Sequence, residues 1–190
     1  MSSMNNELPY VLGMEQMLGI SVSEKVTYIR MIMCELNRIA NHQVALGTFV
    51  MDVGAMTPFL YYFIDREQIL RLFEECSGGR LLYNYFWVGG LQRDIPANFK
   101  EQCLEIIKTV RFRIEEAKKL FMYNKIFLER TRNVGVLPSD VAINFACSGP
   151  VMRGSGVPFD LRRTQPYLFY DKVDFEVVVG KGEVGTIGDC

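Results

Sequence analysis

Val26, Ile29, Met33, Leu36 and Ala40 follow Ser23 at helical spacing, and this stretch limits the fold more than any other. Apolar residues recurring every three or four positions line one face of a helix and would scatter across both faces of a strand. Ser23 belongs to the residue class that caps helix starts, and Gly54 supplies a stop. The pattern predicts one long helix over residues 24–53. Apolar side chains occur on most of its faces, which places it at the centre of the body.

Other helices flank it. Residues from Met4 to Leu18 read as helical, with Gly19 as the stop. Thr57 and Pro58 form a cap followed by proline at the first helical position. They open a helix over 57–77 that carries Phe59, Phe63, Ile69, Leu70 and Phe73 and ends at Gly78-Gly79. The aromatic segment Leu81 to Val88 reads as extended. Asp94 and Pro96 introduce a long helix over 96–122, and Ser139-Asp140 a short one to Ala146. From Ser148 the composition changes to Gly, Pro and Arg, and the segment from Val151 to Tyr167 is expected to be irregular. A strand is expected over Val173 to Val179. A lone strand is not stable, so it must pair with the segment around Tyr85 or with something outside this chain. The expectation is a mainly α fold, a long-helix bundle with a short β element near the C-terminus. It is read as one helical core domain over 1–190, with the bundle at 1–147 and the irregular Arg/Gly segment and strand at 148–190.

Composition excludes several classes. The 190 residues are 49% hydrophobic with a formal charge of −1, so no global basic field invites nucleic acid. Charges interrupt every apolar run before it reaches bilayer length. The opening MSSMNNELPY has neither the basic stretch nor the apolar core of a secretory signal. Five cysteines without a CxxC pair point to a reduced compartment rather than a disulfide framework. The ten methionines and the tyrosines mostly sit at core spacing, while the run FLYYF at 59–63 is too apolar to be wholly exposed.

Few residues offer chemistry. Thr48 and Asp52 are four apart on one helix face, and Val44 extends that face by a turn. A carboxylate at a helix C-terminus opposes the macrodipole, so Asp52 calls for a cation, a polar cavity or water. Arg38 and His42 share a neighbouring face. His42 is the single histidine, and it has no Cys or carboxylate at ligand spacing for zinc and no serine for a triad. Packing is the plainer role for it. Arg153, Arg162 and Arg163 stand in the Gly/Pro-rich segment, either solvated or at an interface. Gly180 to Gly185 match G-x-G-x-x-G, but five residues remain after it, too few for the helix a dinucleotide site needs.

Two long stretches, LGTFVMDVGAMTPF at 46–59 and VMRGSGVPFDLRRTQPYLFY at 151–170, resemble the D subunit of NADH-quinone oxidoreductase, respiratory complex I. That family is related to the large subunits of nickel–iron hydrogenases. The resemblance spans essentially the whole chain and implies an internal fragment, with sequence continuing on both sides. It implies that Asp52, with Val44 and Thr48, lines a quinone chamber. There Asp52 would pair with a histidine outside this chain and hold a proton for reduced quinone. His42 and Arg38 would lie near that site. Arg153, Arg162 and Arg163 fall in the loop that meets the subunit carrying the terminal iron–sulfur cluster. Flavin, clusters and NAD would belong to partner subunits, with no metal held here, and membrane subunits would complete the assembly at the cytoplasmic face of the bacterial inner membrane. The fragment alone is expected to be inactive.

The segment GRLLYNYFWVGG departs from the family. Many relatives carry a histidine where Leu82 or Tyr83 falls and an arginine at Trp87. Losing positive charge near a cluster lowers its potential, which points to menaquinone rather than ubiquinone unless another basic group compensates. Two other readings stand beside this one: a membrane-bound hydrogenase-like large subunit, and a helical interaction module without catalysis. Cysteine pairs in the flanking sequence would mark the hydrogenase.

Overall fold

A computed structural model describes residues 2–180, which form two compact units, the second beginning at Lys118. The fold is mainly α. In the first unit, α1 (Ser3–Leu18) and α3 (Met56–Ser77) both pack on the long α2 (Glu24–Asp52), and α4 (Phe99–Ala117) packs on α3. The central position expected for the second helix is therefore observed.

Local chemistry sets these bounds. The Ser23 hydroxyl accepts the Val26 N–H at 3.4 Å and opens α2. Gly19 closes α1 in the left-handed region, φ +66°, where a side chain would be strained. Buried Met33, Leu36, Ala40, Gln43, Gly47 and Val50 give α2 a stripe of alternating three- and four-residue steps. At Gly47 this stripe meets Phe59 and Tyr62 of α3. Between α3 and α4, the strands β1 (Phe86–Trp87) and β2 (Gly90–Leu91) pair antiparallel, Phe86 opposite Leu91.

Several boundaries differ from expectation. α3 begins at Met56 behind Ala55, with no side-chain cap, and Pro58 sits inside its first turn, where N–H groups lack intrahelical acceptors anyway. α4 begins at Phe99, because the residues after Asp94 form a turn in which Pro96 accepts the Phe99 N–H. Asp94 itself takes the Ile95 N–H and an ion pair with Lys25. Of the extended segment expected over 81–88, two residues are strand.

The second unit opens with a π-helical turn, Lys118–Met122, where a continuous α-helix was expected. Asn124 then caps an unanticipated helix, α5 (Lys125–Thr131), by accepting the Ile126 N–H at 2.9 Å. α6 (Ser139–Asn144) follows as expected. The segment from Val151 is less irregular than its composition suggests: α7 (Gly149–Gly154) has Pro150 in its first turn, and α8 (Leu161–Thr164) is capped by Asp160. A 3-10 turn covers Tyr170–Lys172.

The strand expected over Val173 to Val179, and with it the β element near the C-terminus, is corrected: no ladder forms there among the described residues. Val173 keeps extended dihedrals. The Arg163 side chain and the Arg153 backbone hold this segment instead. Arg163 donates to the Phe175 carbonyl and to Asp174 at 3.1 Å, and the Gly180 N–H reaches the Arg153 carbonyl at 2.9 Å. The only sheet among the described residues is the hairpin at 86–91. The glycine motif from Gly180 to Gly185 lies almost wholly outside the described residues.

Candidate functional site

The end of α2 carries the expected face. Val44 and Thr48 are half-buried, and Asp52, the last residue of the helix, is exposed. The Thr48 hydroxyl donates back along its own helix, to the carbonyls of Val44 at 2.9 Å and Ala45 at 3.1 Å. Its proton is thus committed inward, and its lone pairs face away from the helix as an acceptor. Asp52 has no hydrogen-bond or ion-pair partner among the described residues, and the last turn of α2 contains no basic residue. The carboxylate sits uncompensated at the negative end of the helix dipole. Such a group favours an approaching cation.

Arg38 and His42 are not gathered with it. Ten residues separate His42 from Asp52 and fourteen separate Arg38 from it, which at the helical rise is about 15 and 21 Å along the axis. His42 is exposed, and Arg38 donates to Glu35 one turn back, Nε to Oε2 at 3.1 Å. Beyond Asp52, the FLYYF run divides between inside and outside. Tyr62 is buried, and burial raises its phenol above the usual range. The Phe59 and Phe63 rings lie 4.4 Å apart, Tyr61 stacks under Arg113 at 4.6 Å, and Leu60 is exposed.

The three arginines of the second unit do not project freely. Arg162 forks onto Asp160, Nε to Oδ1 at 3.0 Å and Nη2 to Oδ2 at 2.8 Å, and Arg153 approaches the same carboxylate at 3.6 Å. Asp160 is buried, and the Arg162 guanidinium holds it below the usual carboxylate range despite that burial. Both Arg162 at 4.7 Å and Arg163 at 4.4 Å approach the Phe175 ring. Arg163 is the most open of the three, its side chain 40% exposed against 16% for Arg153 and 19% for Arg162. The expectation of three accessible arginines is therefore narrowed to one.

A second polar centre, with little to announce it in the sequence, lies under the hairpin. Arg30 is wholly buried and forks onto Glu15 at 2.9 and 2.7 Å; it also donates to the carbonyls of Trp87 and Gly90, each at 2.9 Å. Glu15 accepts the Gly89 N–H at 2.8 Å, and the Arg30 bond holds its carboxyl below the ordinary value. The available signal was a charged residue inside the apolar run TYIRMIM. Above this pair, Leu82 and Trp87 are exposed while Tyr83 is buried against Phe73, ring centroids 5.0 Å apart. A guanidinium thus does sit beneath the Trp87 hairpin, with its charge matched by Glu15.

Among the described residues, no group of three or more His, Cys, Asp or Glu is placed to hold a metal, and no helix is long and apolar enough to cross a membrane. Residues 52–190 match the family model of the respiratory-chain NADH dehydrogenase 49-kDa subunit. The chain is 50% identical to an NADH-quinone oxidoreductase D subunit of Cytophaga hutchinsonii, with all of this chain and 49% of that protein covered. It is 51% identical to the corresponding D subunit of Chlorobaculum parvum, again with all of this chain and 48% of the relative covered. The chain spans about half the length of the curated relatives it matches. With this extent of match to the family model, and half the residues shared with such relatives, the chain belongs to the 49-kDa (D) subunit family of respiratory NADH dehydrogenase, complex I.

Proposed function

We propose that this chain forms one wall of a quinone site in an NADH-quinone oxidoreductase, with Asp52 as the proton-coupling carboxylate. The observation that carries this is the exposed Asp52 at the C-terminus of α2, uncompensated among the described residues and in line with Thr48 and Val44. Its position favours a cationic neighbour, such as a protonated imidazole supplied from outside this chain. When quinone is reduced, that imidazole can give up its proton, and Asp52 stabilises the charged form beforehand. Thr48 orients and Val44 offers apolar contact. His42 and Arg38 stand about 15 and 21 Å along the helix from Asp52 and take no part in the proton step.

The electron donor is an iron–sulfur cluster in a neighbouring subunit, fed from NADH through flavin and clusters in other subunits. This chain supplies no ligand to them and binds no NAD. The hairpin at 86–91 and Arg163 face that neighbour, with membrane subunits completing the assembly at the cytoplasmic face of the membrane. Translocation belongs to the whole complex, and the isolated chain has no turnover. Apolar Leu82 and aromatic Trp87, over a guanidinium already neutralised by Glu15, favour a low-potential acceptor of the menaquinone class. The names of the matched relatives weigh against the hydrogenase-like alternative.

Asp52→Asn in the intact complex tests this. The amide is nearly isosteric, so assembly and reduction of the clusters by NADH should persist. Quinone reduction should slow by roughly tenfold, the equivalent of one pKa unit of lost pairing. Parental turnover from pH 6 to 8 would reduce Asp52 to a solvated helix-end carboxylate.

A further inference from the structure

The backbone of residues 84–90 is held by side chains where a sheet would use another strand. Glu7, half-buried on α1, accepts the N–H groups of Asn84 at 2.9 Å, Tyr85 at 3.1 Å and Phe86 at 3.4 Å. Two turns further along α1, Glu15 accepts the Gly89 N–H at 2.8 Å. Arg30, from α2, donates to the Trp87 and Gly90 carbonyls on either side of the turn, each at 2.9 Å. Gly89 turns the chain at φ +85°, which a side chain would strain.

A hairpin of two-residue strands has no stability of its own. Here its donors and acceptors are met from beneath, by two helices at once. Its upper side is apolar and open: Trp87 is 50% and Val88 40% exposed. Arg30 is fully buried, and its Nε has no partner. A buried ion pair is a poor way to gain stability, since well-packed apolar residues do as well or better. What the pair adds is direction, because only a guanidinium can bind two carbonyls and a carboxylate in fixed geometry.

We propose that Glu7, Glu15 and Arg30 are positioning residues that hold the 84–90 hairpin at a set height, so that Trp87 and Val88 meet the electron-delivering subunit preformed. This rests on the reading above that the hairpin faces that neighbour. Preformed contact removes the ordering cost of docking and fixes the distance across which electrons pass.

Two variants in the assembled complex with the full-length subunit test it, Glu7→Ala and Glu15→Gln. Hydrogen exchange of the peptide covering 83–91 is measured alongside kcat and KM for added quinone. Exchange of the hairpin amides should accelerate by roughly tenfold, since their acceptors are lost or weakened. kcat should fall severalfold with the quinone KM unchanged, while Glu7→Gln, which keeps one of the two acceptor oxygens that serve the three amides, should fall between the parent and Glu7→Ala. Unchanged exchange would overturn the proposal, as would faster exchange at full kcat, or a raised KM at full kcat. If Glu15→Gln fails to assemble by orphaning the buried Arg30, Glu7→Ala decides, because it leaves no buried charge unpaired. A parental rate for Asp52→Asn would remove the proton-coupling reading and leave the exchange result standing.

Discussion

Asp65 illustrates what a buried carboxylate demands of its neighbours. Its side chain is 1% exposed, and Arg113 of α4 forks onto it at 2.7 and 3.2 Å while also bonding Glu116 and covering the Tyr61 ring. Removing one partner of such a pair leaves the other poorly compensated, so Asp65→Ala should cost about 3 kcal/mol. Denaturant unfolding of the assembled subunit's first unit measures it, and a loss below about 1 kcal/mol would show that Arg113 re-pairs freely. Glu15 and Asp160 extend the argument to pH. Both carboxyls are held below their ordinary values of 4.5 and 3.8, Glu15 mainly by Arg30 and Asp160 mainly by Arg162. Their stabilisation is present above those unfolded values and is lost as pH falls through the lower folded ones. Acid unfolding should flatten below about pH 4.5 in Glu15→Gln for the first unit and below about pH 3.8 in Asp160→Asn for the second. An unchanged acid slope in both variants would refute the assignment. None of these carboxylates stood out in the sequence: Asp65 and Glu15 take partners 48 and 15 residues away, and Asp160, though Arg162 is close by, is buried by packing that spacing does not show. Asp52 did stand out, because its oddity is local: an acid at the wrong end of a helix.

At the scale of elements, periodicity served the long helices well. Ser23 capped α2 and Gly19 closed α1 as their residue types require. The misreadings fall where tertiary contacts replace local ones. Residues 173–179 have β-branched composition and an alternating exposure pattern, yet the Arg163 side chain takes the Phe175 carbonyl and no ladder forms there among the described residues. α5 escaped because its seven residues are too few for a stripe. The arginines also divide the consequences of mutation. Arg162→Ala removes the fork on buried Asp160 and should destabilise the second unit by about 2–3 kcal/mol. Arg163→Ala leaves that fork intact and should instead weaken attachment of the cluster-bearing subunit. Thermal unfolding and co-purification separate the two. Equal attachment in Arg163→Ala and parent would count against its interface role.

For the whole molecule, each of the two units has its own set of buried residues. The first is organised on α2, the second on Phe121, Phe127, Ala142 and Tyr170. The chain spans about half the length of the relatives it matches, and the quinone site as proposed draws on a histidine outside these residues. NADH-driven quinone reduction is therefore expected to be absent from the purified 190-residue chain, and any turnover measured without added partners would contradict that.

α2 holds Arg30 under the hairpin and Asp52 at its far end, twenty-two residues apart on one unbroken helix. At the helical rise this is about 33 Å, set by residue count alone. The helix is then a ruler, and its gradations are whole residues. Inserting or deleting one residue between these positions shifts Asp52 by about 1.5 Å and swings it by about 100° around the axis. Point substitutions along α2 leave that measure intact, while length changes inside it do not, so natural variation here should take the form of exchanged side chains and not of gaps.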